Sequence, residues 1–398
     1  MKIKLLTSIA LIIAASIFFP LSLHVLNNPD YKIGQIEEKK AAEDKTVTVK
    51  LTSVGDFLMH LPIIKSAYDS STQTYNFIPV FEPVAEYLQG ADITIGNLET
   101  RLAGPEKGYS GYPCFNCPAD LAKDLKNLGL DILTLANNHC LDMGWSGLTA
   151  TMDNLDRVGM EYTGNARSPQ ARNNLLIKDV KGVKLGFLNY TETTNGVPVP
   201  AGKEYAVNMI NLDTIKKDIA NLKNKQADMV IVYLHFGTEY KRYPTEEQKK
   251  LARQVFDAGA DIILGDHVHV LQPMEKEGEK FIVYSLGNFI SNQRWQYSDS
   301  GIILNLTFEK NLVQNKTYLK DVSYIPVWVD TYPAGGMLRY RVVAVEKAVA
   351  DYQNGTDPLL TAEDAARLKQ VWEETTTLMS RPEQEIMPVM LLNKPGRM

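Results

Sequence analysis

The sequence predicts a layered α/β domain, and three observations carry that expectation. From Thr46 onward, short runs rich in aliphatic and β-branched residues alternate with stretches of helical periodicity. Several of the runs are continuously apolar, as strands buried on both faces should be. A common punctuation also recurs: Gly129-Leu130-Asp131, Gly159-Met160-Glu161 and Gly259-Ala260-Asp261 each stop a helical stretch at glycine and enter the next strand through an acidic residue.

The strand candidates are Val47 to Val54, Ile93 to Ile95, Ile132 to Leu135, Lys184 to Leu188, Met229 to Leu234, Ile262 to Leu264 and Phe281 to Ser285. The helical patterns between them cover Pro79 to Leu88, Ala119 to Leu128, Trp145 to Val158, Leu212 to Lys223 and Thr245 to Ala258. After Val329 the alternation ends. Thr361-Ala-Glu-Asp364 reads as a capping box, and Ala365, Leu368, Val371, Trp372, Leu378 and Met379 follow at helical spacing, so residues 331–398 are expected to form a C-terminal extension with an amphipathic helix. The domain proper is expected at 46–330.

At the other end, Lys2 and Lys4 precede an uncharged, largely apolar stretch from Leu5 to Pro29. Residues 1–26 are expected to be an export segment, either a cleaved signal peptide or an uncleaved membrane helix. No A-x-A-like site follows Phe19, which favours the anchor, with the two lysines held inside and the rest of the chain outside the cell. Residues 27–45 are polar and charge-dense, as a linker would be.

Composition bounds the function. With 42 basic and 47 acidic side chains among 398 residues the net charge is −5, and no Lys/Arg cluster exceeds a pair. A sequence-independent nucleic-acid binder, which needs a basic surface to displace counterions, is thereby disfavoured. Three cysteines cannot make a disulfide scaffold. Cys114 and Cys117 are close enough in sequence to staple a loop, or are idle thiols, and Cys140 is left over.

The chemistry is expected where strands end. Asp56 and His60 follow the first strand, Glu99 the second, and Asn138, His139 and Asp142 the third. His235, Glu239 and Tyr240 follow a later strand, then Asp266, His267 and His269, then Asn288. Ligands of α/β sheets bind beyond the carboxyl ends of strands, so these side chains should meet in one cleft. Any one of them could be a core histidine or a capping acid, but five of six histidines falling in this set cannot easily be coincidence. Carboxylates, an amide oxygen and imidazoles suit Mn, Fe or Zn. They are too many for one catalytic zinc, and two divalent ions about 3.5 to 4 Å apart would use them all.

The motif series GDFLMH, IGNLET, LANNHCLDMG, LHFGTEY, ADIILGDHVHVLQPME and YSLGNF resembles the CapA (PgsA) family of bacterial poly-gamma-glutamate capsule synthesis proteins, across roughly residues 49–329. That family is similar to the calcineurin-like metallophosphoesterases, whose fold is a four-layer α-β-β-α sandwich. The resemblance implies a membrane-anchored, extracellular domain. Carried over motif by motif, it makes Asp56 and His269 ligands of a first metal, Glu99 the bridging carboxylate, and Asn138, His235 and His267 ligands of a second. It makes His139 a proton donor or transition-state stabiliser, with Asp56 and His139 the residues on which activity would depend. The phosphoesterase pattern wants a histidine two residues after the first aspartate. Leu58 stands there, and His60 is the nearest candidate ligand. Asp266 is expected to orient an imidazole from behind, and Glu239, Tyr240, Arg242, Arg294 and Trp295 to line a substrate groove.

The function implied is that of a membrane-anchored component of poly-gamma-glutamate capsule production or export with a dinuclear metal cleft. Its partners would be the polymer, or another anionic envelope polymer, and the other synthase subunits in the membrane. The alternative is a two-metal phosphoesterase or hydrolase acting on a cell-envelope substrate.

Overall fold

The computed structural model describes residues 45–380 and 386–390, so the expected leader and all but the last residue of the expected linker lie outside the described residues. The first strands in chain order are β1 (Thr46–Phe57), β2 (Tyr68–Asp69), β3 (Thr74–Tyr75), β4 (Ile93–Asn97), β5 (Ile132–Thr134) and β6 (Glu161–Thr163). There follow β7 (Leu176–Val180), β8 (Val183–Thr191), β9 (Met229–His235), β10 (Ile262–Asp266), β11 (Leu271–Glu277) and β12 (Lys280–Leu286). The last are β13 (Asn288–Ile290), β14 (Ser300–Asn311), β15 (Lys316–Ala334), β16 (Met337–Ala344) and β17 (Met387–Pro388). No helix among the described residues is long and apolar enough to cross a membrane.

Two sheets organise the large unit, Thr48–Glu309 with Thr317–Met398. The larger sheet runs β16-β15-β14-β1-β4-β5-β6, with β13 beside the end of β1 and β17 beside β15; the smaller runs β11-β12-β10-β9-β8-β7. The short β2–β3 hairpin stands apart. The remaining unit contains, among the described residues, 45–47 and Lys310–Lys316, where the Leu312 N–H donates to the Lys45 carbonyl at 2.9 Å.

Why helices cover the sheets follows from alternation along the buried strands. On β9, Val230, Val232 and Leu234 face a cluster with Ile215, Ile219 and Leu222 of the helix Leu212–Asn224 and Ala252 and Val255 of the helix Glu246–Asp257. The intervening Tyr233 points to the opposite face, where its hydroxyl reaches the β1 carbonyl of Val54 at 3.1 Å. On the larger sheet, Val54, Phe57 and Leu133 pack with Leu121 and Leu125 of the helix Asp120–Asn127 and with Leu148, Met152 and Leu155 of the helix Gly144–Arg157. The order is therefore helix, sheet, sheet, helix.

Most elements lie where the sequence puts them. The helix Glu246–Asp257 starts at a capping box made by Thr245 and Gln248, and Ala362–Met379 at one made by Thr361 and Asp364. The stretch Pro79 to Leu88 is a correction. It divides into Ile78–Phe81, a 3-10 turn Glu82–Val84 and Ala85–Gln89, because Pro83 has no N–H to continue one ladder. A second correction concerns the C-terminal boundary. β15 runs straight through residue 330 and turns at Gly335-Gly336, both at positive φ, into β16, so residues 331–344 continue the larger sheet. The extension begins only with the helices Val345–Asn354 and Ala362–Met379, which pack on Trp328 and Val343. Asp299 fixes that packing by accepting from Trp328 Nε1 at 2.8 Å and from Arg367 Nη2 at 2.7 Å.

Parallel register and two glycines then place the site. Asp56 lies opposite Asn97 of β4 and Asn288 of β13, and Asp266 opposite His235 of β9. A Cβ on Gly55 would stand 1.8 Å from the Gly287 carbonyl oxygen, and one on Gly265 2.1 Å from that of Tyr284. Only glycine lets the backbones approach so closely just before each aspartate. Gly55→Ala is therefore expected to cost about 3 kcal/mol, read as a lower urea midpoint, because it is backbone and not a flexible side chain that must give way. An unchanged midpoint would show that the close approach is dispensable.

Candidate metal centre

Asp56, Glu99, His235 and His269 are almost wholly removed from water, and their polar atoms converge. Asn97 Nδ2 donates to Asp56 Oδ1 at 2.7 Å, which orients the carboxylate and leaves Oδ2 facing His269 Nδ1 at 3.3 Å. Glu99 stands between two imidazoles: Oε1 is 3.4 Å from His235 Nε2, and Oε2 is 3.9 Å from His269 Nδ1. His235 Nε2 also lies 2.8 Å from Asn138 Oδ1 and 3.2 Å from His267 Nδ1. Two groups result, Asp56, Glu99, His269 and Glu99, His235, His267, each with its ligand atoms within 4.8 Å of one another. Glu99 belongs to both.

Acceptors outnumber protons here. Asp56 Oδ2 and both Glu99 oxygens are buried without a hydrogen-bond donor, a state that costs several kcal/mol per ionised carboxylate unless a cation is near. The Glu99 carboxyl is held well above the usual range by burial and then by Asp56 and Asp266. His235 is held well below 6.5 by burial and by His267 and His269. His267 falls to about 4 by burial and by His269. Neutral imidazole lone pairs, an amide oxygen and orphaned carboxylate oxygens aimed at common points are the donor set a pair of divalent cations requires, so the residues fit the two ions expected.

The turn His267-Val268-His269 shows how neighbours two apart both contribute. Both histidines have positive φ, +96° and +59°, while Val268 between them is buried. The left-handed backbone brings both rings to the site.

His139 lies beside the groups rather than in them. Its Nδ1–H donates to Asp142 Oδ2 at 2.8 Å, and that same oxygen accepts the Phe115 N–H at 2.7 Å. The Phe115 ring meets the imidazole edge-on at 4.7 Å. The carboxylate fixes the tautomer, so Nε2 is the nitrogen left for chemistry.

His60 belongs to neither ligand group. It is partly buried on the cleft wall, with Nδ1 3.1 Å from the Leu58 carbonyl and 3.3 Å from the Asn292 nitrogen, and burial takes its pKa to about 4. Asp266 is a correction. It accepts from the Tyr233 hydroxyl instead of orienting an imidazole, because parallel register leaves it behind Asp56 and between the sheets. Arg242 is another: its guanidinium lies over the Tyr297 ring at 4.0 Å and donates to the Glu374 carbonyl, away from the groove. Glu239, Tyr240, Arg294 and Trp295 do line a cleft of about 670 Å³ that opens over His139 and His269. The three thiols are free, Cys117 and Cys140 being buried and Cys114 exposed.

Sequence reasoning expected Asp142 and Asn288 in the cleft without giving either a role, and it gave none to Asn97 or Arg101. Asn288 Oδ1 lies 3.2 Å from His269 Nδ1, as Asn97 supports Asp56. Both follow a glycine at a strand end, which was a usable signal. Arg101 is fully buried beside Glu99 and Asp142, donating through Nη2 to the Leu98 carbonyl at 2.6 Å.

The profile of one protein family, the bacterial capsule synthesis protein PGA_cap, matches residues 50–293, a span that holds every residue of both ligand groups. The chain belongs to this capsule synthesis family. The family's capsule biosynthesis protein CapA of Bacillus anthracis is 31% identical over 293 residues, covering 71% of this chain and 68% of its own. The PGA biosynthesis protein CapA of Bacillus subtilis (strain 168) is 29% identical over 296 residues, covering 70% and 72%. Among solved structures, the NAD nucleotidase of Haemophilus influenzae overlays 84% of this capsule synthesis family member and 64% of its own chain, at 13% identity and a TM-score of 0.46.

Metal occupancy should be legible in stability and in stoichiometry. In the metal-free protein, raised Glu99 and Asp266 add stability only below the ordinary carboxylate range and become a cost as pH rises through it. His60 and His267, lowered from 6.5 to about 4, favour the fold at higher pH and withdraw that support as pH falls toward 4. A cation relieves the carboxylate cost and competes with protons for the imidazoles. The rise in Tm on adding Mn²⁺ or Zn²⁺ after chelation is therefore expected to be largest near pH ~7.5 and to shrink toward pH ~5. Glu99→Gln should lose both ions in elemental analysis and Asp56→Ala chiefly one; two ions retained by Glu99→Gln would refute the bridging role.

Proposed function

We propose that this protein works outside the cell, tethered through its N-terminal segment, in making or exporting poly-gamma-glutamate or a related anionic envelope polymer. The dinuclear cleft built around Glu99 would be where the polymer is held. The observation that carries the reading is Glu99 itself, shared by two ligand groups with both oxygens lacking donors. Family membership supports the pathway, since one relative is named for capsule biosynthesis and another for PGA biosynthesis. A chain of net charge −5 also needs local positive charge to hold a polyanion, and cations in a buried cleft supply it.

Asp56, His269 and Glu99 would hold one ion, and Glu99, His235, His267 and Asn138 the other. His60 would meet whatever enters from the cleft wall. Two divalent ions supply Lewis-acid polarisation of a phosphoryl or carbonyl oxygen. The protein's own part is to fix the ligands, keep the floor dry and present Nε2 of His139 to the cleft. The rim is aromatic: Tyr112 and Trp295 stand 78% and 65% exposed on the cleft, with Tyr240 between wall and solvent.

A second reading is hydrolytic, a two-metal phosphoesterase or hydrolase acting on an envelope substrate, and the His139–Asp142 pair favours it. A carboxylate-oriented imidazole beside a metal site is apparatus suited to moving a proton.

One experiment separates the readings. Purified full-length protein is loaded with Mn²⁺ or Zn²⁺ and presented with poly-gamma-glutamate and, separately, with bis-p-nitrophenyl phosphate. Under the first reading the polymer is retained without change of length, and chelation or Asp56→Ala weakens retention at least tenfold. Under the second, the phosphodiester or the polymer is cleaved, and His139→Ala slows cleavage by about 10²–10⁴. A polymer neither retained nor cleaved would sink the first reading.

A further inference from the structure

One cation on the wall of the metal cleft has no acid to answer it. Among the described residues lining that cleft, Arg294, on the loop between β13 and β14, is the only lysine or arginine, and Glu239, on the loop after β9, is the only carboxylate. Both are exposed. Several arginines elsewhere are paired with acids: Arg367 with Asp299 at 2.7 Å, Arg341 with Asp330 at 2.6 Å and Arg172 with Asp218 at 2.6 Å. Arg294 forms no such pair with a described residue. Asp299 and Asp330 act on it only at longer range, and each is already held by another arginine.

The geometry shows which part of the guanidinium is left over. Its only hydrogen bond to a described residue runs from Nη1 to the Val329 carbonyl at 2.9 Å. The edge formed by Nε–H and Nη2–H therefore keeps no partner among those residues. Two parallel N–H groups on one edge match the two oxygens of a carboxylate. The group is also held in advance of any ligand: the Val329 bond fixes one end, and Cζ lies 6.0 Å from the centre of the Tyr340 ring, whose hydroxyl donates to Asn292 Oδ1 at 2.7 Å. Desolvation by the surrounding walls draws the Arg294 pKa below the usual arginine range despite the pull of Asp299, Tyr340 and Asp330. Arg341 and Arg367, which do meet carboxylates, shift the other way. A partly dewatered charge without a counter-ion favours an anion brought by a ligand.

We infer that Arg294 takes a free carboxylate of the bound polymer through its Nε–Nη2 edge, giving the cleft a second anion site apart from the metal ions. The inference rests on the polymer reading proposed above. A chain of glutamates joined through γ-amides presents one free carboxylate per residue, so a repeat engaged at the ions has neighbours able to reach the wall. Glu239 repels carboxylates, so the lining is not a general anion surface, and Arg294 is its one side chain carrying a permanent positive charge.

The test is calorimetric titration of full-length, Mn²⁺-loaded protein with poly-gamma-glutamate, as wild type, Arg294→Gln and Arg294→Lys, with bound metal measured in each. Expected are unchanged metal content, at least tenfold weaker polymer binding in Arg294→Gln, and at least threefold weaker binding in Arg294→Lys, whose ammonium keeps the charge without the paired edge. If Arg294→Gln loses metal or fails to fold, Arg294→Lys, which keeps the charge and a donor for Val329, decides the matter. Wild-type affinity in Arg294→Lys, or in a metal-loaded Arg294→Gln, would overturn the inference and leave the polymer reading standing. A wild-type protein that binds no poly-gamma-glutamate would remove the polymer reading itself. Saturable binding of polyphosphate instead, weakened tenfold in Arg294→Gln, would assign the edge to a phosphate and overturn the carboxylate.

Discussion

The structure is organised around a carboxylate that cannot be satisfied by protons alone. Glu99 is buried between two sheets with neither oxygen accepting a hydrogen bond, and Asp56 and Asp266 are buried with it. Such a cluster is tolerable only if everything near it is held in place, because relaxation toward water would be favoured by several kcal/mol. The supports follow from that need: Asn97 holds Asp56, Tyr233 holds Asp266, and Asn288 faces His269. The glycines before both aspartates serve the same end, since they allow neighbouring strands to approach closely just where the carboxylates emerge.

The large features of the fold were legible because they rest on periodicity. Strands such as Met229–His235 are apolar on both faces because a second sheet lies against one face and helices against the other. The antiparallel strands from Ser300 to Ala344 were not foreseen. β14 alternates in burial only from Leu304, β15 carries Lys320 and Asp321 exposed ahead of its buried run from Tyr324 to Asp330, and only the Gly335-Gly336 turn signalled a hairpin. The helix break at Pro83 was legible in principle, since proline cannot serve the interior of a helix.

The site was legible by type and position, and less so by role. Residues at strand ends were expected to meet, and Asp56, Glu99, Asn138, His235, His267 and His269 do. Contacts that depend on side-chain direction were opaque: Asp266 turns to Tyr233, Arg242 to Tyr297, and His60 to the backbone of Leu58 and Asn292. Register fixes where a Cα sits, whereas a long side chain chooses among neighbours that only the assembled fold provides.

The left-handed backbone at His267 and His269 has an effect of its own. Holding a non-glycine residue there costs about 1–3 kcal/mol, which the packing around the turn has to supply. The turn behaves as a clasp already under tension. An arriving ion finds both rings in place and gives up little free energy to order them, so affinity that a slack loop would forfeit to entropy is kept for the ion itself.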